Sequence, residues 1–177
     1  DKYFKSFIIQ VRKRYAGIDD KGKFVVKGLE TRRTDNSKFI RKLQKEILMM
    51  ILEGKNKEEV KKYLNDELIK FKDCSYEDIA LPRSMKSDEY KTTSPWLRGC
   101  EYSKKHLKIR IVKGDKIRLL YIKEMPKKYP PTNELCFFSD YEIPEGTEID
   151  YDKMIEKGVI KKLERIFEII GWNIDEM

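Results

Sequence analysis

The sequence has little of what most enzymes and disulfide-rich scaffolds need. Its 177 residues include three cysteines and one histidine. Cys74, Cys100 and Cys136 are far apart and odd in number, which argues against a zinc site or a disulfide framework and favours a reducing compartment. A catalytic Ser-His-Asp or Cys-His set would have to use His106, whose lysine neighbours indicate a surface position instead. No apolar run approaches the ~20 residues that cross a bilayer.

Motifs for phosphate and metal binding are also missing. The sequence has no Gly-rich loop of the kind that surrounds a phosphate. Acidic residues cluster near the C-terminal end, but their spacing matches no metal motif and is typical of a solvated loop. They are Glu142, Glu145, Glu148, Asp150 and Asp152. A small metal-dependent nuclease or transferase using this cluster stays the third-ranked hypothesis.

Charged side chains are abundant. Lysine and arginine number 39 and aspartate and glutamate 31, so the formal net charge is +8. The charge is uneven: residues 1–45 carry +9, residues 46–97 carry −2, residues 98–128 carry +8 and residues 129–177 carry −7. The two basic segments indicate either an unevenly charged surface or a face that binds a polyanion, with nucleic acid as the first candidate.

The apolar pattern predicts an α+β fold that begins with a β-hairpin. Aromatic and aliphatic residues over 3–30, interrupted by a turn at Asp19–Gly22, favour two strands. A helix is expected over 36–53, with Asp35 or Asn36 as its cap and one apolar face at helical spacing.

Three further helices are expected. One spans 57–71, where Asn56 and Glu59 have the spacing of a capping box, and its short link to the preceding helix makes the two antiparallel neighbours. Another spans 94–106 and starts with a serine cap followed by proline. A last helical region begins near residue 150.

Strands are expected between these later helices. Residues 79–82 favour an extended segment, because a residue before proline leaves the α region. Alternation over 107–123 around Lys113–Asp115 predicts a second hairpin, and 135–138 a short strand.

A basic stretch, Arg12-Lys13-Arg14-Tyr15, lies in the first predicted hairpin. Cations that neutralise phosphates release counterions, and a tyrosine hydroxyl can donate to a phosphate oxygen. One hairpin later come Gly28-Leu29-Glu30, Arg33 and Asp35, which run into the first helix. This order resembles family B DNA polymerases of the phage and archaeal branches, where a lysine-tyrosine stretch ends the palm and a G-L-E-x-x-R-x-D sequence precedes the thumb.

The resemblance continues at residues 42–46, 79–82 and 94–99 and covers nearly the whole chain, with the last third similar in layout only. It implies a palm C-terminal hairpin over 1–35 and a thumb over 36–177, mainly helical with a small inserted β-hairpin subdomain. It also implies that the thumb grips the primer–template duplex during DNA synthesis. The family's primer-binding lysine and tyrosine correspond to Lys13 and Tyr15.

Ten residues are expected to contact DNA. Lys13, Tyr15, Arg33 and Arg98 come from the resemblance, and the others from their charge and position. The full set is Arg12, Lys13, Arg14, Tyr15, Arg33, Lys38, Arg41, Arg98, Lys104 and Lys105.

The family's metal-binding aspartates have no counterpart here, since neither D-x-x-S-L-Y-P-S nor D-T-D occurs. The chain is therefore not expected to be catalytic alone or to hold a cofactor, and magnesium is expected in the missing palm part. The expected partners are primer–template DNA and the remaining polymerase domains or a catalytic partner chain, without a membrane. A sliding clamp stays open as a partner, because no clear tail motif follows Trp172. The expected location is the cytoplasm or nucleoid, or the host cell interior if the parent is viral.

A second hypothesis comes from a different class. A stand-alone basic adaptor that binds RNA or a protein partner would fit the charge pattern equally well, and the G-L-E-x-x-R-x-D order would then be coincidence.

Overall fold

The chain forms a mixed structure of helices and antiparallel strands in a computed structural model, which confirms the predicted α and β content. The structure describes residues 4–11, 14–21, 23–27, 35–87, 90–169 and 171–172, the first three strands by their backbone. The strands are β1 (Phe4–Val11), β2 (Arg14–Asp19), β3 (Phe24–Lys27), β4 (Leu81–Ser84), β5 (Lys116–Glu124), β6 (Glu134–Phe137) and β7 (Glu148–Ile149). The helices are α1 (Lys38–Leu52), α2 (Lys57–Lys70), α3 (Tyr76–Ile79), α4 (Pro95–His106), α5 (Tyr151–Ile155) and α6 (Lys161–Ile169).

The described residues divide into two compact units. The first unit takes its residues from 1–73 and 159–177, and the second unit from 74–158. The palm–thumb boundary expected at residue 35 stays a prediction. None of the helices in these described ranges combines the length and apolar character that a membrane crossing requires.

The first sheet has three antiparallel strands in the order β1-β2-β3. Strand β1 pairs antiparallel with β2, with Val11 opposite Arg14. The prediction of a simple two-stranded hairpin over 3–30 was therefore wrong, because β2 was missed. Its sequence, RYAGID, contains an arginine, a glycine and an aspartate, which are poor indicators of a strand when read without the partners on either side.

The turn predicted after β2 is confirmed. Asp19 accepts hydrogen bonds at its Oδ1 from the backbone N–H groups of Lys21 and Lys23, at 3.0 and 2.8 Å. An aspartate that bonds its own following backbone favours a turn locally, which is why the sequence sufficed here.

The first helix of the first unit starts slightly later than predicted. Its cap is Ser37, whose Oγ accepts from the N–H of Ile40 at 3.2 Å, and not Asp35 or Asn36. Asn36 is buried, and its side-chain N–H donates to Oε1 of Gln44 at 3.3 Å. The side chain of Asn36 is bonded to Gln44, about two turns into the helix, and Ser37 caps α1 instead.

The second helix begins as predicted. Asn56 Oδ1 accepts from the N–H of Glu59, and Glu59 Oε2 accepts from the N–H of Asn56, which completes the capping box. Phe39 in the first turn of α1 meets Phe71, just after α2, with ring centroids 4.9 Å apart. The start of one helix thus lies against the end of the other, as expected for antiparallel neighbours.

A buried polar link connects α1 to α6 in the first unit. Gln44 is fully buried, and its Nε2 donates to the carbonyl of Lys162 at 3.2 Å. Nζ of Lys162 in turn lies 3.2 Å from Oδ2 of Asp35. These bonds satisfy polar groups that would be costly to bury without a partner. They also connect α1, and the residues just before it, to the first turn of α6.

The second unit is built around β5. This strand pairs antiparallel with β4 and β6, and its end pairs with β7. Its residues Ile117, Leu120 and Ile122 are buried in the core of the unit. The predicted extended segment at 79–82 is realised from residue 80, because α3 ends at Ile79 and Ala80 is extended.

The hairpin predicted over 107–123 was wrong in its first arm. Only residues 116–124 form a strand, and β4 takes the position expected for 107–111. Ile109 instead donates its N–H to the carbonyl of Ser103, and Lys108 has a left-handed φ of 56°. Ile109 and Ile111 are still buried. The alternating pattern therefore identified these buried residues correctly, but it did not predict their secondary structure.

Candidate nucleic-acid interface

Helix α4 is the element that positions most of the predicted contacts of the second unit. Ser94 Oγ accepts from the N–H of Leu97 at 3.2 Å, and Pro95 occupies the first turn. Proline suits this position, because its missing N–H would have no partner in the helix. The last turn contains Lys104, Lys105 and His106. Cations there are favoured by the negative end of the helix dipole.

One face of α4 is held against β6 by small side chains. The Ser103 hydroxyl donates to the carbonyl of Cys136 at 2.5 Å and accepts from its N–H at 3.1 Å. A Cβ at Gly99 would stand 3.0 Å from Sγ of Cys136, so glycine allows this close approach. Trp96 and Cys100 lie on the same face and are buried. This face of α4 is therefore fixed against the strand, and the basic side chains of the helix occupy its other faces.

Arg98 is anchored by a buried carboxylate. Its Nη2 donates to Oε1 of Glu134 at 2.9 Å, and Glu134 is only 6% exposed. This hydrogen bond raises the pKa of Arg98 above its ordinary value. A guanidinium has five N–H donors in a planar fork, so one bond to Glu134 orients the group and leaves others for a further acceptor. Sequence reasoning predicted Arg98 but missed Glu134, which begins a strand of otherwise apolar residues.

Lys104 and Lys105 are exposed to solvent, and within the part of the chain that the structure describes neither forms an ion pair. Lys108 and Arg110 follow directly and are also exposed. Sequence reasoning assigned these two to a hairpin and did not name them. Together these cations form what we call the α4 basic surface: Arg98, Lys104, Lys105, Lys108 and Arg110.

A cavity of about 320 Å³ opens beside this surface. Its lining includes Lys104, Thr92, Thr93 and Cys100, all in the second unit. The cationic and hydroxyl groups give its rim a polar character, while Leu97 forms an apolar part of the wall.

Helix α1 carries the predicted contacts of the first unit. Lys38 is exposed and Arg41 is half-buried, and the exposed Lys42 and Lys45 follow them. The first turn contains no acidic residue. Helix N-termini favour negative charge over about the first turn, so Lys38 at the first position of α1 works against the dipole. The dipole therefore does not account for this lysine, whereas an external anion would.

The remaining predicted contacts are only partly described. Arg14 and Tyr15 are on β2, where Tyr15 pairs with Ile9 of β1 and Lys27 of β3. Arg12, Lys13 and Arg33 lie outside the described residues. The predicted set is thus divided between the two units, and its union into one DNA-binding surface stays a prediction.

The acidic cluster has structural partners. Glu142 Oε1 accepts from the N–H groups of Phe138 and Ser139 at 2.8 and 2.7 Å, and Asp150 caps α5 through the N–H of Lys153. Glu148 lies 3.6 Å from Nζ of Lys123. Across the described ranges, no three histidine, cysteine or acidic side chains are grouped so that they could hold a metal ion.

Comparison with known proteins identifies the family. A model of the family described as "DNA polymerase family B" matches residues 1–170, nearly the whole chain. The chain belongs to DNA polymerase family B. The resemblance inferred from residues 12–46 and 79–99 is thereby confirmed.

Similar proteins of this family come from archaea and yeast. The chain is 30% identical over 99% of its length to a DNA polymerase of Methanocaldococcus jannaschii, of which it covers 10%. It is 27% identical over 98% of its length to the DNA polymerase zeta catalytic subunit of Saccharomyces cerevisiae, of which it covers 12%. The family B DNA polymerase structure from Pyrobaculum calidifontis matches 98% of the chain with a TM-score of 0.74 and 22% identity, and 22% of that structure is covered.

The family B chain thus spans only a small part of its relatives' length. Its fold matches a solved polymerase across both of the described units, because the structural match covers 98% of the chain.

Proposed function

We propose that this family B chain is the palm end and thumb of a DNA polymerase, which grips the primer–template duplex while nucleotides are added elsewhere. The palm end comprises residues 1–35 and the thumb residues 36–177. The grip is made mainly to phosphates and is therefore independent of sequence, since phosphates are identical at every step of the duplex.

The observation that carries this proposal is the α4 basic surface. Lys104 and Lys105 are exposed and have no ion-pair partner among the described residues. A folded protein gains little from like charges placed side by side, whereas a duplex supplies about one negative charge per 1.7 Å of its axis. Arg98 adds a fork held by Glu134 at 2.9 Å. Such a pre-oriented guanidinium loses less conformational entropy when it binds phosphate.

Helix α1 supports the same role in the first unit. Lys38 and Arg41 are three positions apart and lie on one side of the helix. They stand near the positive end of the helix dipole, where an anion such as phosphate is favoured.

The strand β2 is proposed to hold the primer strand. Lys13 and Tyr15 correspond to the family's primer-binding pair, with Arg12 and Arg14 beside them and Arg33 at the palm–thumb junction. β2 is the central strand of its sheet, paired on both sides.

Catalysis is proposed to depend on residues outside this chain. Magnesium would be bound by palm aspartates that the sequence lacks, and the chain itself would take no cofactor. The partners would be primer–template DNA and the other polymerase domains, or a catalytic partner chain. Mixing the chain with that catalytic part should restore primer extension that neither part performs alone.

The decisive experiment is DNA binding by a variant of the α4 basic surface. Lys104→Ala combined with Lys105→Ala should weaken binding of a primer–template duplex, and the salt slope of log K should fall by about 0.9 for each phosphate that is no longer neutralised. The matched control is Lys62→Ala, which removes an exposed lysine from helix α2 and lies outside the predicted set.

Fluorescence anisotropy at several salt concentrations measures both quantities. If the double variant and the Lys62→Ala control have the same affinity and salt slope as the unchanged chain, the α4 basic surface does not bind DNA. A comparison of DNA and RNA duplexes at one salt concentration separates the polymerase role from a general RNA-binding one.

A further inference from the structure

Two cysteine side chains of the second unit lie at the same contact between helix α4 and strand β6. Cys136 on β6 is fully buried, and its Sγ donates to the carbonyl of Trp96 at 3.4 Å. That carbonyl belongs to the residue four positions before Cys100, so it lies on the same face of α4. A Cβ placed at Gly99 would be only 3.0 Å from this sulfur.

The backbone of Cys136 is fixed at this position. Ser103 binds both its carbonyl and its N–H, at 2.5 and 3.1 Å. Cys136 is also paired with Leu119 in the neighbouring strand. The sulfur of Cys136, which lies 3.4 Å from the carbonyl oxygen of Trp96, is therefore presented to the helix face that contains Cys100.

The two thiols differ in chemical character. The hydrogen bond with Cys136, followed by the charges of Lys104 and Arg83, lowers the pKa of Cys100. Burial, followed by the same contact with Cys100, raises the pKa of Cys136. Because the thiolate is the nucleophile, Cys100 is the thiol that reacts first.

Only one of the two thiols lines a cavity. Cys100 lines the cavity of about 320 Å³, together with Thr92, Thr93 and Lys104. Cys136 does not line it; both thiols are otherwise buried, with Cys100 2% and Cys136 0% exposed. A small polar oxidant that enters the cavity thus meets Cys100 and not Cys136.

We propose that Cys100 and Cys136 are an oxidation site for hydroperoxides, with Cys100 as the attacking thiol and Cys136 as the resolving thiol. The Cys100 sulfur attacks one oxygen of hydrogen peroxide, the O–O bond breaks, and the leaving hydroxide takes a proton to become water. The Cys100 sulfenic acid then reacts with the Cys136 thiol. An S–S bond forms, the S–O bond breaks, and a second water leaves. Peroxide is reduced and the two thiols are oxidised.

The product would tie α4 to β6, an edge strand of the second unit's sheet. Helix α4 carries Arg98, Lys104 and Lys105, so the disulfide would lock the element that presents them. The inference concerns the thiols alone and holds whether or not these cations bind DNA.

The test is peroxide treatment of the 177-residue chain under native conditions, followed by alkylation of the remaining thiols, proteolysis and mass spectrometry. The expected result is one intramolecular disulfide between the peptides that contain Cys100 and Cys136, with the loss of two hydrogen atoms. Dithiothreitol should reverse it, and Cys74 should stay alkylated as the internal control.

Single variants separate the two roles. Cys136→Ala should stop the reaction at a Cys100 sulfenic acid that dimedone traps, whereas Cys100→Ala should leave Cys136 reduced. Cys74→Ala, the matched control, should form the disulfide as before. Because peptide mapping also works on the unchanged chain, a variant that fails to fold does not prevent a decision. Oxidation of Cys74 while the pair stays reduced, or disulfides only between chains, would overturn the proposal.

Discussion

Helices α1 and α4 both carry exposed cations on one side and pack on the other, but they do so in opposite ways. Helix α1 buries large aliphatic side chains, including Ile40, Leu43 and Ile47, and has its cations at its N-terminal half. Helix α4 buries the small residues Gly99 and Ser103 against a strand backbone and has its lysines in its last turn.

The position of the cations shows whether the helix itself favours them. The helix dipole favours the lysines of α4 and disfavours those of α1. The dipole thus accounts in part for the lysines of α4 and does not account for Lys38 at the start of α1. The DNA binding proposed above would explain both sets.

The packing difference predicts that the largest loss of stability follows from truncation of a buried side chain in α1. Ile47→Ala, at a fully buried position, should lower the free energy of unfolding by about 2–5 kcal/mol, because it removes apolar contacts and leaves a cavity. The matched control is Ile69→Ala in α2, where isoleucine is 76% exposed and the expected change is within about 0.5 kcal/mol. Urea denaturation measures both, and equal losses would contradict the assigned core.

For α4 the destabilising change is the addition of a methyl group at Gly99. Gly99→Ala should cost about 1–3 kcal/mol, since the new methyl would meet Cys136 Sγ at 3.0 Å and its backbone N at 3.3 Å. Gly158→Ala is the control: a Cβ there meets only the end of the flexible Leu81 side chain, at 3.2 Å. Urea denaturation should therefore show a smaller loss for Gly158→Ala. The reverse order would mean that α4 does not approach β6 this closely.

Because the lysines lie at opposite ends of the two helices, their removal should change the free energy of unfolding in opposite directions. Lys38→Gln should raise the free energy of unfolding by about 0.3–1 kcal/mol, and Lys105→Gln should lower it by a similar amount, because the two lysines stand at opposite helix ends. Both variants should weaken DNA binding under the proposed function. Thermal unfolding at low salt measures the stability, and changes of the same sign would remove the distinction between the two helices.

The last effect appears only at alkaline pH and concerns Tyr63 in α2. Burial, followed by the charges of Glu67 and Glu46, raises the pKa of Tyr63 to about 12. The folded chain therefore holds this proton longer than the unfolded chain, whose tyrosine has a pKa of about 10. The stabilisation is complete below pH ~10 and is lost as pH rises toward ~12.

Tyr63→Phe should flatten this alkaline decline. Tyr141→Phe is the control, because Tyr141 is 88% exposed and should leave the decline unchanged. Urea unfolding across the alkaline range measures the slope. Identical slopes in Tyr63→Phe and the unchanged chain would show that burial of Tyr63 does not affect the equilibrium.

The sequence by itself determined the local features and the family. The Asn56–Glu59 box, the Ser94-Pro95 helix start and the Asp19 turn depend on residues within four positions of one another, so the chain encodes them without distant partners. The predicted DNA contacts on α1, α4 and β2 could be named from sequence for the same reason, but their union into one DNA-binding surface stays a prediction.

Only the tertiary structure decided the contacts between distant segments. The pairing of β5 with β4, the Glu134 partner of Arg98 and the approach of Cys136 to α4 join residues more than 30 positions apart. Strand partners and buried ion pairs are chosen by competition among all apolar and polar groups in the folded core, and alternation within one segment does not contain that information. The wrong first arm of the 107–123 hairpin has this cause. Strand β2 was missed for another reason: its partners lie within 15 positions, but its own residues are poor indicators of a strand.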